Sequence, residues 1–223
     1  RRRAAALEYL DNVLPDGGTQ NAFISKLDSA GNFVWAKRWG GNDSDVVRSM
    51  ALDGAGNIYT GGNFRGTVDF DPGPGILNLT PEFDDGGFMQ KLDSFGNLVW
   101  ARQNAGASGM KLDSPGNIYA TGTFDSTVDM DPGPGVFNLV ANSFDIFVGK
   151  WTNNGNLVWA AGMGGAFHQL AYDLDLDGEG NLYTTGFFSN TTDFDPGAGV
   201  FNVTSSGSND IFVSKYTSDG YLS

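Results

Sequence analysis

Three segments pair aspartates two residues apart and follow them at once with a Pro-Gly turn. They read "TVDFDPGPGILNLT" at 67–80, "TVDMDPGPGVFNLV" at 127–140 and "TTDFDPGAGVFNVT" at 191–204. In a strand, residues i and i+2 share a face, so Asp69 and Asp71, Asp129 and Asp131, and Asp193 and Asp195 each present two carboxylates together. Two chemistries suit that arrangement. A Ca²⁺ ion takes carboxylate, carbonyl and water oxygens, and would relieve the repulsion of the pair. A purely structural corner would use the same carboxylates as acceptors for backbone N–H groups. Pro favours the second reading as much as the first. It biases the aspartate before it to extended angles and fixes its own φ, while the next Gly permits reversal.

A second acidic run, "DLDLDGEGN" at 173–181, places Asp173, Asp175 and Asp177 at alternate positions. It begins like a calcium loop, but Thr184 stands where such a loop needs its bidentate Glu. The competing reading is a polar strand face ending in a turn aspartate. His168 is the one histidine, and lies where a structural or solvent-facing role is expected. With no Cys, thiolate chemistry is excluded. Catalytic carboxylate pairs need unlike environments to separate their pKa values, so a pair repeated three times points away from acid–base catalysis. No enzyme activity is expected.

The elements that would position these residues are repeated hairpins. The phrase L-D-x-x-G-N followed by an apolar strand starts at Leu27, Leu52, Leu92, Leu112 and Leu176, with looser copies at Trp151 and Tyr216. Asp opens a tight turn by accepting backbone N–H groups, and Gly takes the left-handed angle that closes it. Successive starts lie 25, 40, 20, 39, 25 and 40 residues apart. Long and short steps alternate, so two kinds of hairpin make one unit of 59 to 65 residues. Four antiparallel strands per unit, repeated, predict an all-β fold: a β-propeller, or an open propeller arc, of about three and a half four-stranded blades. The expected organisation is a half-blade at 21–41 and blades at about 46–104, 105–163 and 166–223, with the paired aspartates inserted between second and third strands. Trp35, Trp100 and Trp159 recur on the last strand of a unit and are expected to fill the gap between neighbouring blades.

Residues 53–62, 113–122 and 177–186 carry the phrase D-x-x-G-N-[IL]-Y-x-T-G or a near variant. Here the chain resembles the bacterial β-propeller repeat known as SBBP, over about residues 21–223. That resemblance implies a propeller on an exported or cell-surface protein, without an enzyme activity. The function expected is structural, in assembly. The alternative is a carbohydrate- or protein-binding propeller, stabilised by calcium if the aspartate corners hold it. A cluster of unlike polar residues drawn from different blades would favour binding, and uniform open edges would favour assembly.

The formal net charge of −13 repels phosphate backbones, which argues against nucleic acid as a partner. No apolar run approaches the roughly 20 residues of a membrane helix, so no membrane span is expected. Residues 1–20 read as a tail or a short amphipathic helix carrying Leu7, Leu10 and Leu14 and ending before Pro15. The hairpins number seven, and the first unit lacks one of its two. The chain is therefore expected to be an open arc or part of a longer polypeptide. Strands near 23–26 and 211–215 would then present open edges to other protein chains, including copies of itself.

Overall fold

The computed structural model describes residues 20–223. The expected N-terminal helix or tail falls outside them but for its last residue. The described residues form nineteen strands and no helix, and every pairing is antiparallel.

The strands assemble in chain order. β1 (Ala22–Leu27) and β2 (Phe33–Trp39) make a two-stranded sheet. β3 (Val46–Leu52), β4 (Ile58–Phe64), β7 (Gly86–Leu92) and β8 (Leu98–Asn104) form the second sheet in that order. β9 (Ala107–Leu112), β10 (Ile118–Phe124), β13 (Asp145–Trp151) and β14 (Leu157–Gly165) form the third. β15 (Gln169–Leu176), β16 (Leu182–Phe188) and β19 (Asp210–Tyr216) form the last, where Leu222 bridges Tyr216. Between the second and third strands of the last three sheets lie small hairpins: β5 (Val68–Asp69) with β6 (Asn78–Leu79), β11 (Thr127–Asp129) with β12 (Asn138–Val140), and β17 (Thr191–Asp193) with β18 (Asn202–Thr204).

The turns explain the register. At Asp53, Oδ1 accepts the N–H groups of Ala55 and Asn57 at 3.0 and 2.9 Å, and Oδ2 accepts the Asn57 amide at 2.8 Å. The Gly56 N–H returns to the Asp53 carbonyl at 2.9 Å, with Gly56 at φ +79°. Asp28, Asp93 and Asp177 repeat these contacts. Thr152 and Thr217 replace Asp in the two looser copies, and each hydroxyl accepts a single N–H at 3.2 Å.

Successive sheets pack face to face. Ile24 and Trp39 of the first meet Ile58, Phe88 and Leu92 of the second. Tyr59 and Met89 of the second meet Met110, Ile118 and Trp151 of the third. Tyr119, Ile146 and Val148 of the third meet Leu174, Leu182 and Phe212 of the last. Each such side chain contributes about 1.5–3 kcal/mol by leaving water. The inserted hairpins add a second tie. β14 runs past its own sheet so that Gly164 and Gly165 pair with Asp193 and Thr192 of β17, and Gly40 bridges Asp69 in the same way. A side chain at Gly165 would lie 2.4 Å from the Thr191 carbonyl oxygen, so the crossing needs glycine.

Candidate functional site

The three aspartate corners share one geometry. Asp69 Oδ1 accepts the N–H groups of Asp71 at 3.0 Å and Leu77 at 2.9 Å, while Asp71 Oδ1 accepts that of Gly73 at 2.7 Å. Asp129 takes Asp131 and Phe137 at 3.0 and 2.8 Å, and Asp131 takes Gly133 at 2.8 Å. Asp193 takes Asp195 and Phe201 at 3.0 and 2.8 Å, and Asp195 takes Gly197 at 2.8 Å. The first aspartate thus spans the eight-residue loop and pins both ends, and the second tightens its tip. The other oxygen of the second lies over a glycine: a Cβ at Gly75 would sit 2.1 Å from Asp71 Oδ2.

The acidic run of β15 is dispersed. Asp173 and Asp175 each accept the N–H of the next residue, and Asp175 also pairs with Lys111 at 3.5 Å across two exposed side chains. Asp177 is the turn aspartate, held by Glu179 and Asn181 and facing Lys215 at 3.6 Å. Its pKa falls to about 2, chiefly because the Asn181 amide donates to the charged form. Among the described residues no group of three or more His, Asp or Glu side chains converges. His168 is exposed, and its ring meets that of Phe144 edge-on with centroids 4.9 Å apart.

The recurring tryptophans join neighbouring sheets. Trp100 of the second sheet stacks over Gly155 in the last turn of the third, with its Nε1 donating to Asn153 O at 3.3 Å. Trp159 lies over Gly220 and donates to Ser218 O at 3.1 Å, and Trp35 lies over Gly96. Tyr59 and Tyr119 brace Trp100 and Trp159 edge-on, each with centroids 6.4 Å apart. Lys91 and Lys150 in turn sit 4.9 and 4.8 Å from the centroids of these tyrosine rings.

An open groove of about 900 Å³ lies where the second, third and last sheets come together. Arg48 and Asn63 come from the second sheet, Asp125 from the third and Tyr172 from the last, and Glu82 and Asp85 approach from the segment leading into β7. Arg48 Nε donates to Asn63 Oδ1 at 2.8 Å. On the lining lies Asn104, 4% exposed, with neither amide atom hydrogen-bonded. Sequence reasoning passed over this residue, although a signal exists. The matching position in "FVWAKRW" is Trp39 and in "LVWAAGM" Met163, both buried apolar side chains.

No family model matches the chain. Over 116 residues, 48% of its length, it is 32% identical to the uncharacterised WD repeat-containing protein L264 of Acanthamoeba polyphaga mimivirus. The likeness is to a repeat protein of β-propeller type. The matched stretch is 8% of that protein, so the chain spans only a small part of its relative's length.

Proposed function

We propose that the chain is an arc of a β-propeller with a structural role: it presents end faces that receive further four-stranded sheets of the same repeat. The observation that carries this reading is a contrast between equivalent positions. Ile146 and Val148 of β13 are 0% exposed because the last sheet covers them, whereas their counterparts Ile211 and Val213 of β19 are 88% and 73% exposed. At the opposite end, Phe23 and Leu27 are exposed where Phe88 and Leu92 are fully buried. Gly31 meets no atom within 4 Å, although its equivalents Gly96, Gly155 and Gly220 each carry a tryptophan. Both ends therefore offer surfaces already shaped for the interface used three times inside the chain. Such a surface promotes association.

The WD-repeat likeness and the run of face-to-face antiparallel sheets support the propeller architecture. Placement on an exported or surface bacterial protein rests on the SBBP resemblance. The aspartate corners serve the scaffold, since the Oδ1 atoms of all six carboxylates accept backbone N–H groups; calcium binding at them is the competing reading. The test is light scattering on the chain as a function of concentration, beside a variant with Ile211→Glu and Val213→Glu. Association that rises with concentration and is lost in the variant supports the reading. A wild-type chain that stays monomeric and matches the variant at every concentration overturns it.

A further inference from the structure

We propose that the groove between the second, third and last sheets binds a neutral carbohydrate. The inference starts from Asn104. Its repeat position is a core position, filled elsewhere by Trp39 and Met163, yet here it holds an amide whose donor and acceptor are both unpaired. Leaving a buried polar group unsatisfied costs roughly 1–3 kcal/mol, and Leu or Met would avoid that cost. Asn104 lines a groove built by three different sheets with its two amide atoms just beneath the surface, so the partner they lack inside the protein is supplied from the groove once the side chain turns outward.

The chemistry of the walls selects the ligand. Glu82, Asp85, Asp125, Asp129 and Asp131 oppose an anion such as phosphate. A cation would suit those carboxylates, but an ammonium or guanidinium could only donate, leaving the Asn104 Nδ2 still unpaired. A hydroxyl both donates and accepts. Adjacent hydroxyls on a ring therefore satisfy Asn104 completely and use the flanking carboxylates and guanidinium as acceptors and donors. The rim adds the apolar part of the recognition. Tyr172 is 59% exposed and Phe83 66% exposed, and both line the groove. Tyr172 is held by an edge-on contact with Phe187 at 5.9 Å between centroids, so its ring is set in place before a ligand arrives. Rings flanking carboxylates and amides match a sugar, which offers an apolar C–H face and a hydroxyl edge. An open groove of about 900 Å³ has room for several linked residues.

The test is calorimetric titration of the 223-residue chain with soluble fragments of neutral polysaccharides: α- and β-glucan, mannan, galactan, xylan and chitin. Hexalysine and inorganic phosphate are the charged controls. At least one neutral fragment is expected to bind. Asn104→Leu and Tyr172→Ala should each weaken that binding about tenfold, the effect of one lost polar or stacking contact. Tyr221→Ala, an exposed aromatic away from the groove, should leave it unchanged. Asn104→Leu carries a second readout, because removing an unpaired buried amide should raise the melting temperature while binding falls. Tyr172 is exposed, so its variant tests the groove without that change in the core. The proposal is overturned if no fragment in the set binds, if binding survives both groove variants, or if hexalysine or phosphate binds in place of the sugars.

Discussion

Gly155→Ala tests whether tryptophan stacking, rather than turn strain, joins one sheet to the next. Gly155 and Gly116 close two turns of the same sheet at nearly the same backbone angle, φ +78° and +86°. Alanine at either position pays for a left-handed conformation, about 1 kcal/mol. What differs is the space around the new methyl. At Gly116 the nearest atom is Asn153 Cβ at 3.8 Å, an ordinary contact. At Gly155 three ring carbons of Trp100 would lie 3.2–3.3 Å away, so the indole must retreat. Retreat weakens its Nε1 bond to Asn153 O, worth about 1 kcal/mol, and part of its edge contact with Tyr59, worth up to ~1 kcal/mol. Gly155→Ala should therefore cost about 2–3 kcal/mol and Gly116→Ala about 1 kcal/mol. Urea melts followed by far-ultraviolet circular dichroism, compared at equal slope, measure the difference. In a Trp100→Ala background the extra cost at Gly155 should disappear, because the group it collides with is gone. Equal midpoints for the two glycine variants would refute the latch, as would an excess at Gly155 that survives removal of Trp100.

The corners and the turns give two further expectations. Asp69→Ala should cost about 2 kcal/mol and Asp71→Ala about 1 kcal/mol in urea melts, since the first accepts two backbone N–H groups and the second one; added calcium should leave the wild-type melting temperature where EDTA leaves it, and a calcium-dependent rise would instead assign the corners to the ion. Asp177 has its folded pKa lowered from 3.8 to about 2, so its contribution is present above the ordinary value and is lost as pH falls through the folded one; the melting temperature should drop across that window, and Asp177→Asn should make the drop shallower. Asp145, raised by burial, has the opposite sign: it favours the folded state at low pH and loses that contribution as pH rises, which an Asp145→Asn titration should reveal.

The hairpins were legible because their signals are local. Asp and Gly three residues apart fix a turn whose hydrogen bonds all close within five residues, as the contacts of Asp53, Asn57 and Gly56 show. The antiparallel all-β class followed from those turns, and the tryptophan positions followed from their period. The corner carboxylates were legible as acceptors, but the choice of partner was not. Asp69 reaches the N–H of Leu77 only because the loop between them closes, and no residue type announces that closure. The joining of β14 to β17 was invisible for a different reason. It depends on two glycines whose role is to let one backbone cross another, and Gly164 and Gly165 read in sequence as ordinary turn residues. Asn104 was missed because a lone amide in "ARQNAG" looks like a surface strand end; only the three repeats set side by side show that the position belongs to the core.

The placing of each lock across two units has a consequence for how such chains change over generations. Trp100 belongs to one unit and Gly155 to the next, just as Gly40 belongs to one and Asp69 to the next. Each of the first three units therefore carries a key for its successor, and each of the last three a keyhole for its predecessor. A gene duplication that copies one whole period inserts a piece that fits both neighbours at once, without any new interface having to arise. Loss of a whole period heals equally well, whereas a deletion of half a period leaves a key facing no keyhole. Array length is thus free to drift in whole steps, and the features that must stay in phase are few: an indole and a left-handed glycine, joined at two of the three junctions by the pair of glycines at the crossing. Residues outside that phase, Asn104 among them, are free to diverge from one unit to another and so to make a single place on a repetitive surface unlike the rest.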